Sequence, residues 1–109
     1  MEIKVCEKQE LIQKKKIRFI YERHQILVIA SDQGFYAIRD KCPHMGASLF
    51  PGKLEGTVIQ CKDHGLRIDL KTASVIDDGK PNKLHMSESD CHVRAYRIIE
   101  KDNGIWVEI

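Results

Sequence analysis

The chain has 109 residues, 42% of them hydrophobic and 31% charged, which is enough for one small domain with a single core and excludes a disordered polymer. Its formal charge of +2 carries only a slight basic excess toward the N-terminus, without the concentrated basic face used by nucleic-acid binders. The longest apolar run, Ile26–Ala30, is far too short to cross a bilayer, and Met1–Cys6 has neither the basic flank nor the apolar stretch of a secretory signal, so a soluble cytoplasmic protein with no membrane partner is expected.

In chain order, Glu7–Ile12 has room for one turn of helix at most. Lys14-Lys15-Lys16 and Arg18 read as the solvated end of a strand, because Ile17 and Phe19 alternate with charge there. That strand, Lys16–Tyr21, is followed by a polar turn at Glu22-Arg23-His24 and a second strand over Gln25–Ile29. Asp32-Gln33-Gly34 turns the chain again into Phe35–Ile38. At the far end Val93–Ile99 and Ile105–Ile109 flank Asp102-Asn103-Gly104, where Asn-Gly predicts a tight hairpin because both residues tolerate positive φ. Trp106 on the last strand, and Cys6 and Cys91, are expected to be core residues, and His24, His85 and His92 exposed loop residues.

Residues 42–81 are different. Gly46, Gly52 and Gly56, with Pro43 and Pro51, break the chain into loops, and only Val58–Gln60 and Leu66–Ile68 read as brief strands. Inside this insert stand Cys42-Pro43-His44 and, 16 residues later, Cys61-Lys62-Asp63-His64. Four cysteines without an export signal argue for metal ligation rather than disulfides. Two thiols and two imidazoles on two short loops can surround a metal without help from the rest of the chain. By spacing alone that metal is either a zinc ion in a binding module or a two-iron, two-sulfide cluster with two histidine ligands.

The insert resembles the Rieske iron–sulfur family. The residues that carry the likeness are Cys42-Pro43-His44 with Gly46-Ala47-Ser48-Leu49, Cys61-x-x-His64-Gly65, Arg67-x-Asp69, Val75–Gly79 and the closing Ile105-Trp106-Val107. The resemblance implies one 2Fe-2S cluster, with Cys42 and Cys61 on the inner iron, His44 and His64 on the outer one, and Gly79-Lys80-Pro81 as a covering loop. It implies an all-β, Rieske-like fold: an antiparallel β-sandwich base with a small loop-rich cluster-binding subdomain, the whole of 1–109 being one domain.

Oxidised, such a cluster with two thiolates and two neutral imidazoles is uncharged, so adding an electron is easier than at a four-thiolate site. Respiratory members carry a serine and a tyrosine hydroxyl after the second histidine; here those positions are Leu66 and Ile68, and their paired extra cysteines are replaced by Ala47 and Asp63. The resemblance thus implies a low-potential soluble ferredoxin. It would be a monomeric electron carrier rather than an enzyme, passing single electrons from a flavin reductase to an oxygenase. The alternative is a small subunit or accessory domain of a larger oxidoreductase such as a nitrite reductase. Met45, Leu49 and Phe50 are expected to pack beneath the first loop or to form a docking patch around the histidines.

Overall fold

The computed structural model describes residues 1–43, 46–62, 65–77 and 92–109. Among these described residues ten strands and one helix follow one another: β1 (Glu2–Glu7), α1 (Lys8–Lys14), β2 (Lys16–Tyr21), β3 (His24–Ser31), β4 (Gly34–Arg39), β5 (Lys53–Glu55), β6 (Val58–Gln60), β7 (Arg67–Asp69), β8 (Ser74–Asp77), β9 (Ala95–Lys101) and β10 (Gly104–Glu108). They form two antiparallel sheets, β1-β10-β9-β4-β3-β2 and β5-β6-β7-β8. No helix among the described residues is long and apolar enough to cross a membrane.

The large sheet folds over on itself. Its halves are joined edge to edge where β4 pairs β9, at Ala37–Tyr96 and Ile38–Ala95. Cys6, Tyr96, Ile105 and Val107 from one half share a core with Ile26, Val28, Ala30 and Ala37 from the other. This is the expected sandwich-like base. Burial and the nearby Glu10 and Glu7 push the Cys6 thiol up to about 11, so it stays neutral near pH 7 and fills space in this core.

The unbroken apolar run of β3 has a structural reason. Alternate residues of a strand face opposite sides, and here both sides are covered. Ile26, Val28 and Ala30 enter the base core. Leu27 and Ile29, with Ile38 of β4, enter a second core with Ile59 and Ile68 of the smaller sheet and Leu49, Leu66 and Leu70 of the segments beside its strands. β3 and β4 are thus a wall between the base and the loop-rich part, and Cys42 and Cys61 lie in that second core.

Several local expectations need correction. Glu2–Glu7, for which no element is expected from the sequence, is a strand. The helix runs over seven residues, Lys8–Lys14, anchored by fully buried Leu11. Lys14 therefore ends the helix, and Lys15 leaves it at φ 72°, its N–H bonded to the Leu11 carbonyl at 2.8 Å. Of the three lysines only Lys16 belongs to the strand, with Arg18 two residues on. Tyr21 pairs His24, so Glu22-Arg23 is the turn and His24 opens β3. Likewise Lys101 pairs Gly104, leaving Asp102 and Asn103 as the left-handed turn residues, at φ 52° and 60°. Trp106 is half-buried rather than core, with the Lys101 ammonium 4.2 Å above its ring.

Two parts of the insert approach closely at Gly52. A Cβ there would lie 2.3 Å from the Gln60 carbonyl oxygen, just ahead of Cys61, and 2.9 Å from that of Leu49. The neighbouring Gly56, at φ +59°, has open space around it. Gly52→Ala should therefore cost about 3 kcal/mol or prevent folding, whereas Gly56→Ala should cost about 1 kcal/mol from backbone strain alone. Urea unfolding of the two variants, compared with the parent, tests this.

Candidate metal centre

Both cysteines end a strand or its extension and begin a loop with the same hydrogen bonds. The Cys42 N–H donates to the Ala47 carbonyl at 2.6 Å, and the Gly46 N–H donates back to the Cys42 carbonyl at 2.7 Å. The Cys61 N–H donates to the Leu66 carbonyl at 2.7 Å, and the Gly65 N–H donates to the Cys61 carbonyl at 3.0 Å. In each loop the closing residue is the glycine four positions after the cysteine, at φ 76° for Gly46 and 70° for Gly65. A side chain there would carry the strain of the left-handed region. C-x-H-x-G and C-x-x-H-G are thus two spellings of one loop, differing in where the histidine is inserted.

Cys42 and Cys61 are both 1% exposed. They share an aliphatic surrounding with Leu49, Ile59, Leu66 and Ile68. His44 and His64 lie outside the described residues, as do Met45, Asp63, Gly79-Lys80-Pro81, His85 and Cys91. The donor set supplied by the two loops, one thiol and one imidazole each, fits a two-iron cluster with mixed ligands. The matched loops present their two thiols from equivalent positions, as a cluster held by one sulfur from each side requires. Leu66 and Ile68 are 1% and 0% exposed and bring no hydroxyl to this core.

The other candidates fall elsewhere. His24 is half-buried, and its Nδ1 lies 3.0 Å from the Tyr96 hydroxyl, so it is not an exposed loop residue. His92 is exposed and bridges Ser74. Leu49 is fully buried and belongs to the core, while Phe50 remains 39% exposed.

Sequence reasoning missed Asp40, whose side chain is the one buried charge among the described residues, at 1% exposure. Its Oδ2 accepts from Arg18 Nε at 2.6 Å and from the Ser48 hydroxyl at 2.6 Å; its Oδ1 accepts from the N–H groups of Leu49 and Phe50 at 2.8 and 3.0 Å. A carboxylate two residues before Cys42 thus ties down the other end of the same loop and joins it to β2. Strand alternation carried a signal for it: Asp40 lies two residues after Ile38, which faces the second core. Lys16 adds a second tie, its ammonium donating to the Phe50 carbonyl at 2.6 Å and to that of Gly52.

Asp40→Asn would offer N–H groups to a site built of donors. It should lower stability by about 2–3 kcal/mol, and Ser48→Ala by about 1 kcal/mol. Chemical unfolding with matched m-values is the check.

The model of the family described as Rieske [2Fe-2S] domain matches residues 1–97. The oxygenase component of dicamba O-demethylase from Stenotrophomonas maltophilia is 30% identical over 99 residues, covering 91% of this chain and 28% of that protein. Methylxanthine N1-demethylase NdmA from Pseudomonas putida is 31% identical over 75 residues, covering 64% of this chain and 21% of that one. Among solved structures, the ferredoxin of carbazole 1,9a-dioxygenase from Nocardioides aromaticivorans IC177 aligns with a TM-score of 0.78 at 22% identity, covering 98% of this chain and 96% of that chain. The structure of NdmA aligns with a TM-score of 0.83 at 22% identity, covering 98% of this chain and 33% of that one. At such identities these likenesses show the fold. The chain spans only 28% or less of the curated relatives named here.

Proposed function

Because the chain belongs to the Rieske [2Fe-2S] domain family, whose members carry one 2Fe-2S cluster, we propose that it is a low-potential, ferredoxin-like carrier of single electrons. In this reading Cys42 and Cys61 hold the inner iron, and His44 and His64 the outer one. The cluster when bound supplies reversible one-electron chemistry at a potential above that of all-cysteine centres. The remaining work belongs to the chain. The two thiol-bearing loops fix both sulfurs through the same pair of backbone hydrogen bonds. The aliphatic side chains of the second core keep water from the thiolate side.

The observation that carries the proposal is the pairing of two buried cysteines in equivalent loops, each with a histidine inserted before or beside the closing glycine. The absence of hydroxyls at Leu66 and Ile68 supports the low potential, since hydrogen bonds to the sulfurs raise it. The solved ferredoxin of nearly the same length supports a free carrier. Its partners would then be a flavin reductase and a terminal oxygenase in the cytoplasm. The greater length of the curated relatives favours the second reading, a domain or small subunit of a larger oxidoreductase. A free carrier elutes as a monomer at micromolar concentration; a subunit co-purifies with its larger partner.

Anaerobically purified protein should hold two irons and two acid-labile sulfides per chain and give a Rieske-type EPR signal after dithionite reduction. Its midpoint should fall near the bottom of the Rieske range, about −150 mV. His64→Cys should abolish that signal, and Leu66→Ser should raise the midpoint if its hydroxyl reaches a sulfur. A zinc-loaded, colourless protein, or a strongly positive midpoint, would contradict the assignment.

A further inference from the structure

The charges of the chain are distributed unequally between its two ends. Along β1, α1, β9 and β10 the cations are matched: Lys4 with Glu7, Lys8 with Glu100, Lys14 with Glu10, Arg97 with Glu108, and Lys101 with Glu2. Around the cysteine loops they are not. Arg39, Lys41, Lys62 and Arg94 are all exposed, and none makes an ion pair among the described residues.

Three of these four line one cleft. It has a volume of about 270 Å³ and opens directly beside Cys42, with Arg39, Lys41, Arg94 and His92 around Pro43 and Gly46. No acidic side chain lines it among the described residues. The cleft is built rather than accidental in shape. The Arg39 N–H donates to the Arg94 carbonyl at 2.8 Å, which holds its two walls together. The stem of Lys41 lies over Gly46, so that a Cβ there would come within 3.2 Å of Lys41 Cε. The Arg94 guanidinium is stacked 4.7 Å from the centre of the Tyr96 ring.

We infer that this basic cleft is a docking surface for an acidic face of an electron-transfer partner protein. The inference rests on the reading of Cys42 as a cluster ligand and adds the chemistry of what approaches it. Like-signed, unpaired charges held beside a redox centre attract the opposite charge over a Debye length and orient the encounter. The paired charges along β1, α1, β9 and β10 leave that part of the surface without a competing cluster of unpaired cations. A contact of this kind is small and transient, as electron transfer requires.

The first test does not depend on iron. Fluorescein-labelled octaglutamate is titrated into the protein at low ionic strength, and its anisotropy is read. Binding is expected, with loss in Arg39→Glu/Lys41→Glu/Arg94→Glu. Free glutamate or citrate binding as tightly as the peptide would make the cleft a small-anion site and overturn the proposal. The second test follows reoxidation of dithionite-reduced protein by ferricyanide and by tris(phenanthroline)cobalt(III). In the cleft variant the ferricyanide rate should fall about tenfold at about 10 mM salt, the cobalt rate should rise, and both differences should shrink at about 300 mM.

Lys8→Glu/Lys14→Glu/Lys101→Glu makes the same change in net charge at the other end of β9 and should move either rate less than about twofold. Equal effects of the two triple variants, or a cleft variant that slows both oxidants alike, overturn the docking surface. Because Arg94 packs on Tyr96, the double variant Arg39→Glu/Lys41→Glu carries the same test if the triple variant does not fold. Absence of iron and sulfide would instead overturn the cluster assignment, and the peptide titration would still decide on the cleft.

Discussion

A buried carboxylate holds the site to its scaffold. Asp40 receives a guanidinium from β2, a hydroxyl and two backbone N–H groups from the end of the first cysteine loop, and through its own N–H it donates to the Gln25 carbonyl at 2.8 Å. A charge removed from water is tolerated only when it is fully hydrogen-bonded, so this single group makes several otherwise separate segments interdependent. Loop, strand end and base either come together around it or leave an unsolvated anion. The second loop needs no such anchor, because Cys61 follows directly on β6 and Leu66 leads directly into β7, which pair in register.

Much of this was legible in the sequence. The hairpins were readable because their turns are polar and their strands alternate or run apolar. The loop-rich insert was readable because its glycines and prolines are concentrated. What was not legible depended on contacts distant along the chain. β1 alternates Ile3 and Val5 with Glu2 and Lys4, a strand signal too short to stand alone, and the pairing with β10 completes it. The helix lasts two turns because Leu11 is buried against the base, a tertiary effect that outweighs its small apolar face. The turn at Asp102-Asn103 lies one residue earlier than Asn-Gly suggested, because the pairing of Lys101 with Gly104 sets the register. Of the site itself, the two cysteines and their glycines were recoverable from spacing, while the equivalence of the two loops needed the hydrogen bonds.

Base and site differ in how they handle charge as well as in shape. Along β1, α1, β9 and β10 the base pairs its cations in ion pairs of small individual worth. The site end buries one anion, Asp40, against the exposed Arg18 and leaves several cations facing solvent. A neutral oxidised cluster becomes negative on reduction, and a surrounding of positive charge eases that change. The same charges that would guide a partner therefore also act on the centre that the partner reaches.

The wall strand has one more consequence. In most sheets a slip of one residue exposes apolar groups and is punished at once. Here Ile26, Val28 and Ala30 alternate with Leu27 and Ile29, and both sets are buried, so polarity does not tell one alignment from the other. Fidelity falls instead to the two short reversals that bracket the strand, at Glu22-Arg23 and Asp32-Gln33. Those exposed, chemically ordinary residues act as the ruler of the molecule: their number, more than their identity, decides which aliphatic groups line the chamber behind the sulfurs.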